Sequence, residues 1–172
     1  AITLTTKPPR RDDIEVVLLI GEPGTGKTHW ARELLPNAFW LQGKWWDGYR
    51  GERDLIIDEY RGWLPSHQLL RIIDKYPCTV EPKHSSVNLA ATRIIITTNK
   101  PIGEWYAGGG EQLETAIGRR IHSVAVCTGW GLGERRIFDT WAEAKYFLEN
   151  GGNWSGKQLQ DTNVIYISDD EE

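Results

Sequence analysis

The chain has 172 residues, 40% of them hydrophobic, and a formal net charge of −4. That length suits one compact domain, which at this size buries about 70% of its extended-chain surface. No apolar run approaches the ~20 residues a membrane span needs, so no membrane partner is expected. The acidic balance argues against a simple DNA-coating protein but leaves room for a local basic loop on an otherwise acidic surface.

Residues 1–13 are polar, carry Pro8-Pro9-Arg10-Arg11, and read as a linker or arm. An apolar strand over 16–20 follows. It runs into Gly21-Glu22-Pro23-Gly24-Thr25-Gly26-Lys27-Thr28, and a helix is predicted from about 27 to 35, stopped by Pro36. Ala38 to Leu41 is a short strand, and Lys44-Trp45-Trp46-Asp47-Gly48-Tyr49-Arg50-Gly51 an aromatic loop. Leu55-Ile56-Ile57-Asp58-Glu59 reads as a buried strand ending in two carboxylates. Pro65 opens a helix at its first position, with Leu69, Ile72, Ile73 and Tyr76 at core-facing spacing. Thr79-Val80-Glu81 and Val87-Asn88-Leu89 flank Pro82-Lys83-His84-Ser85-Ser86 as a hairpin. Arg93 to Thr98 is a strand apolar enough for the middle of a parallel sheet, and Asn99 ends it. A glycine-rich loop over 107–110, a helix near 111–118 and a strand from Ile121 to Val126 come next. Thr140 and Glu143 form a capping box for a helix near 140–149, closed by Asn150-Gly151-Gly152. Residues 153–168 read as a strand pair or loop, before the acidic end Asp169-Asp170-Glu171-Glu172. The alternation of strands and helices gives an α/β fold, a central parallel sheet flanked by helices. Its expected organisation is an arm over 1–13, a nucleotide-binding domain over 14–128, and an extension over 129–172 with one helix and an acidic tail.

The chemistry starts at Gly21–Thr28. G-x-x-x-x-G-K-T between a strand and a helix is a phosphate-binding P-loop. Its glycines let successive N–H groups converge on one anion, and the helix start adds its positive dipole end. Gly21, Glu22, Pro23, Gly24, Thr25, Gly26, Lys27 and Thr28 are therefore the expected nucleotide contacts. Lys27 reaches the β- and γ-phosphates, and the Thr28 hydroxyl ligates Mg²⁺. Asp58 and Glu59 leave the C-terminal end of a buried strand, where ligands sit in such sheets. Asp58 is expected to hold the metal and Glu59 to polarise the attacking water. Asn99 is placed to contact the γ-phosphate or orient that water. Arg119 or Arg120, between a helix and a strand, can stabilise transition-state charge beside a neighbouring subunit's phosphate. Lys83 and His84 at the hairpin tip can grip a nucleic-acid backbone without reading bases.

These elements, in this order, resemble the superfamily 3 helicase domain of the replication initiator proteins (Rep) of circovirus-like circular single-stranded DNA viruses. Lys44 to Tyr49 is similar to the family's W-W-D-G-Y signature, and Ile57 to Pro65 to its Walker B segment with the trailing G-W-L. Tyr76 to Lys83 resembles its B′ segment, and Ile96-Thr97-Thr98-Asn99 its motif C, whose Asn is the sensor. The resemblance covers about residues 15–126. It implies an AAA+-like P-loop ATPase using ATP and Mg²⁺, assembled into a homo-oligomeric ring, hexameric by the family pattern. It implies a 3′→5′ DNA helicase moving on single-stranded DNA in rolling-circle replication, in the host nucleus. It further implies that Lys83 lines the central channel, with His84 adjacent, and that Arg119 or Arg120 is the arginine finger. One departure is the Asp58-Glu59 pair, where circoviruses have Asp-Asp. Another is the absence of the family's endonuclease motif: His29, His67, His84 and His122 lack the His-hydrophobic-His spacing, so nicking and joining are expected only in the full-length protein.

Trp45, Trp46 and Tyr49 have two readings, base stacking and packing of the loop, and packing is the expected one. Asn99-Lys100-Pro101-Ile102 puts Ile where a guanine-reading Asp belongs, which argues against a GTPase. A small-molecule P-loop kinase and a nucleotide-gated DNA-binding assembly module are the alternatives. Cys78 and Cys127 match no zinc pattern and read as reduced, semi-buried thiols in an intracellular setting; no segment reads as a signal peptide. The chain contains no methionine, even at position 1, so it is expected to be a piece of a longer protein or a processed product.

Overall fold

The computed structural model describes residues 10–150. The proposed arm up to residue 9, the strand pair or loop of 153–168 and the acidic end lie outside the described residues. In chain order the elements are β1 (Glu15–Gly21), α1 (Lys27–Leu34), β2 (Phe39–Leu41), β3 (Asp54–Ile57), α2 (Ser66–Ile72), β4 (Thr79–Val80), β5 (Val87–Asn88), β6 (Arg93–Thr98), α3 (Gly110–Gly118), β7 (Ser123–Cys127), β8 (Arg135–Phe138) and α4 (Trp141–Glu149). Six strands form one sheet in the order β2-β3-β6-β1-β7-β8, and β4 and β5 form a separate hairpin.

The sheet is parallel except for β8, which pairs antiparallel with β7. Its central strands are apolar on both faces, as a sheet covered on both sides requires. Val16, Leu18 and Ile20 of β1 join Leu55 and Ile57, Ile94 and Ile96, and Val124 and Val126 on one face, against Leu69 and Ile72 of α2, Ile117 of α3, and Ala144 and Phe147 of α4. Val17, Leu19, Ile56, Ile95 and Ala125 face the other way, onto Trp30, Ala31 and Leu35. Each such buried aliphatic side chain contributes about 1.5–3 kcal/mol.

Local chemistry sets the boundaries. Gly26, at φ 80°, turns the chain into α1, a left-handed conformation that glycine adopts without strain. Thr140 Oγ1 accepts the Glu143 N–H at 3.2 Å, so the predicted capping residue does cap α4. Pro65 differs slightly from expectation. It has φ −55° and ψ 141° and stands at the N-cap, one position before the first helical residue.

Tyr76, expected on the core-facing side of a helix, lies past the end of α2 and is 55% exposed, and two features escaped the sequence. Arg11, read as part of a polar arm, is 2% exposed. Its guanidinium donates to the carbonyls of Arg71, Ile72, Asp74 and Ala91 at 2.7–2.9 Å, the first three being acceptors left over at the end of α2. β8 lies in a stretch that carried no motif. There Arg135 is buried with its guanidinium 4.1 Å from the centre of the Trp30 ring, a cation–π contact that closes the sheet edge over α1. β8 and α4 thus add to the same sheet and core as the residues before them.

Gly62 is a steric requirement. It has φ 98°, and a Cβ there would come within 1.9 Å of the Trp105 carbonyl oxygen. Gly48 has φ 87° but open space around it. Gly62→Ala should therefore lose more than the backbone strain of about 1–2 kcal/mol that Gly48→Ala loses. Urea denaturation of the two variants checks this, and equal losses would contradict it.

Candidate functional site

A cleft of about 480 Å³ opens where β1, β3 and β6 end, lined by Lys27 and Thr28 of the P-loop helix, by Glu59, and by Asn99. The parallel register places these groups together. Leu19 and Ile20 pair with Thr97 and Thr98, and Ile57 pairs with Ile96, so the polar residues after β3 and β6 emerge beside the P-loop.

The loop is built for an anion. Gly24 and Gly26 have φ 82° and 80°, and the Thr25 hydroxyl donates to the Glu22 carbonyl at 2.8 Å. No side chain caps α1, and its first turn carries no acidic residue, so its leading N–H groups are available to a phosphate. Lys27 Nζ donates to the carbonyls of Gly21 and Glu22 at 2.8 and 2.9 Å. Burial lowers its pKa. A desolvated ammonium whose acceptors, two carbonyls and the more distant Thr25 hydroxyl at 3.5 Å, are all neutral exchanges readily onto phosphate oxygens. Cys127, at the end of β7, is buried, and its thiol pKa is pushed up to about 11 by burial. It is an inert wall beside the loop.

Asp58 and Glu59 are neighbours in sequence and opposites in environment. Asp58 is 5% exposed. Its carboxylate accepts from Thr28 Oγ1 at 3.0 Å and Thr97 Oγ1 at 2.8 Å. Glu59 has φ 51°, an unusual conformation for a side-chain-bearing residue. That turn swings its side chain into the cleft, while its N–H donates to Thr97 Oγ1 at 2.8 Å. Thr97 therefore holds the Asp58 carboxylate directly and Glu59 through its backbone. The predicted metal pair Thr28 and Asp58 is in direct contact. No group of three or more His, Cys, Asp or Glu that could hold a metal occurs among the described residues, so a divalent ion at this pair would draw its remaining ligands from phosphate and water, the mode suited to Mg²⁺. The residues present fit a nucleoside triphosphate with such an ion.

Arg119 and Arg120 do not line the cleft. Arg120 is committed to the fold, with Nε to Asp74 Oδ2 at 2.9 Å and Nη1 to the Ala116 carbonyl at 2.6 Å. Arg119 is exposed. Lys83 and His84 sit at the hairpin tip, with Trp45 and Asp47, around a second, shallow cleft of about 540 Å³. Asp47 Oδ1 accepts the Lys83 N–H at 2.8 Å. The aromatic loop divides. Trp46 and Tyr49 are 1% and 3% exposed and pack on Phe39, as expected, whereas Trp45 is 71% exposed beside the tip.

Sequence reasoning passed over six cleft residues, two of which, Arg32 and Thr98, line it from α1 and from the end of β6. Arg61 lines it two positions after Glu59, and its place in the same turn was the available signal. Thr97 read as an apolar-strand residue, although it precedes Asn99 by two. His29 and Trp130 also line the cleft; Trp130 comes from a segment without a motif, and nothing in the sequence pointed to it.

The fold and the site define a P-loop NTPase. A family model described as RNA helicase matches residues 17–100. The chain is 42% identical over 110 residues to the replication-associated protein of porcine circovirus 1, covering 62% of this chain and 35% of that protein. It is 39% identical over 128 residues to the replication-associated protein of porcine circovirus 2, covering 72% of this chain and 41% of the relative. Human associated cyclovirus 1 has one that is 33% identical over 127 residues, 69% of this chain and 45% of the relative. The resemblance to the superfamily 3 helicase domain of circovirus-like replication-associated proteins is thereby borne out, and the chain spans less than half the length of these relatives.

Thr97→Val keeps the shape and removes the hydroxyl, leaving the Glu59 N–H and one acceptor of Asp58 unpaired. The expected cost is about 1–3 kcal/mol of stability in urea denaturation, with nucleotide turnover reduced about tenfold or more as Glu59 loses its position. Unchanged turnover in a folded Thr97→Val protein would remove Thr97 from the site.

Proposed function

We propose that this chain is the ATP-dependent DNA helicase domain of a viral replication initiator, hydrolysing ATP with Mg²⁺ to move along single-stranded DNA during rolling-circle replication in the host nucleus. The observation that carries this reading is the meeting of Lys27, the Thr28–Asp58 pair, Glu59 and Asn99 in one cleft, with basic residues Lys83 and His84 on a separate hairpin. A small-molecule kinase has no use for such a hairpin.

Lys27 leaves the Gly21 and Glu22 carbonyls for phosphate oxygens, and the P-loop N–H groups hold the chain of phosphates in line. Thr28 and Asp58 would hold Mg²⁺, which when bound would supply charge neutralisation on those oxygens. Glu59, exposed in the cleft and held by its backbone bond to Thr97, orients the attacking water and takes its proton. Asn99 and Arg61 both line the cleft and contact the terminal phosphate in this reading. The finger is assigned to Arg119 and acts in a neighbouring subunit of a ring. This choice follows from the commitment of Arg120 to Asp74 and Ala116. Lys83 and His84 contact the DNA backbone.

ATP turnover measured with and without single-stranded DNA, across protein concentration, tests the reading. Stimulation by DNA with steep concentration dependence is expected, together with loss of turnover in Lys27→Ala. DNA-independent, concentration-independent turnover would defeat the helicase proposal. Lys83→Ala should keep basal turnover but lower single-strand affinity and reduce the salt slope by about one unit or less, the share of one phosphate contact.

Mixing tests the assignment of Arg119. Glu59→Gln subunits combined with Arg119→Ala subunits should recover part of the turnover that each lacks alone, because some interfaces pair an intact base with an intact finger. Absence of recovery would overturn the assignment of Arg119.

A further inference from the structure

Trp130 follows β7 and is 57% exposed, yet it is firmly held. Its Nε1 donates to the Gly24 carbonyl at 2.9 Å. Its ring lies against Gly26, where a Cβ would come within 2.7 Å of it. The His29 ring is 5.4 Å away, tilted by 45°. One open face of this fixed indole borders the same cleft as Lys27, Glu59 and Asn99.

Sheet order says which end of the cleft this is. β3 and β6, which deliver Asp58, Glu59 and Asn99, lie on one side of β1, and β7 lies on the other. A nucleotide with its terminal phosphate at Glu59 and Asn99 runs along the P-loop toward β7. Its base then arrives at Trp130.

We propose that Trp130 is the stacking platform for the nucleotide base, with His29 at its edge. The proposal rests on the reading of the cleft as a nucleoside-triphosphate site. An indole already fixed by a hydrogen bond and by contact with a glycine loses little freedom on stacking. Gly26 has no side chain to hold the ring off the loop, so the platform sits flush with the phosphate cradle. A brace for the loop alone would need the hydrogen bond to Gly24 but no open ring face.

Calorimetric titration of the chain with ADP and with tripolyphosphate separates these roles. Trp130→Ala should weaken ADP about tenfold or more and leave tripolyphosphate within about twofold, since only ADP carries a base. Trp130→Phe keeps a ring and loses the N–H, so it should hold ADP within about threefold. An equal loss for both ligands in Trp130→Ala would make the residue a loop brace, and unchanged ADP affinity would make it a bystander; either overturns the proposal. Lys27→Ala serves as the control for the underlying reading and should weaken both ligands. If it weakened neither, the phosphate assignment would fail, whatever Trp130 does.

Discussion

The seating of β1 between β6 and β7 is the constraint on which the rest depends. All three strands run the same way, so their C-terminal ends share one edge of the sheet. The fit at that edge is close. A Cβ on Gly21 would fall 2.1 Å from the Cys127 carbonyl oxygen, so the first glycine of the P-loop is demanded by the neighbouring strand as well as by the loop's own curvature. From this arrangement follow the position of the loop, the bonds of Thr97 to the Asp58 carboxylate and the Glu59 N–H, and the division of the cleft into an end at Glu59 and Asn99 and an opposite end at β7.

The Asp58-Glu59 dipeptide illustrates how one backbone torsion separates two roles. Both residues are carboxylates, and both follow a buried strand. The positive φ of Glu59 sends the two side chains into unlike surroundings, one sealed by two hydroxyls and one open to the cleft. A buried carboxylate that accepts from two hydroxyls is held in one orientation. An exposed one beside it stays accessible to water. Thr97 serves both at once by donating its hydroxyl proton to Asp58 while accepting the Glu59 N–H.

What could be read from the sequence was whatever is written locally. The P-loop, the apolar strands, the Asp-Glu pair and the Thr140 cap each depend on residues adjacent in the chain, and they appear where expected. Features that depend on distant partners were not legible. Arg11 looked solvated because its four carbonyl acceptors lie 60 to 80 positions away. β8 was not foreseen in the extension over 129–172 because Arg135 is buried against an aromatic ring contributed by α1. The aromatic loop was half legible: Trp46 and Tyr49 pack as their size suggests, but adjacent Trp45 points outward, and composition alone does not tell neighbours apart.

The ties around the hairpin have a mechanical consequence. Asp47 holds the turn at Lys83, while the Tyr49 hydroxyl, two residues on, accepts the Ala90 N–H just beyond β5. Tyr49 and Trp46 are themselves locked into the core. The projection is therefore clamped near its tip and at its root by one short loop, and it resembles a bracketed strut more than a whip. A load applied at the tip is transmitted to the body of the domain with little lost to bending. The tip is thereby coupled to the body of the domain through residues of its core.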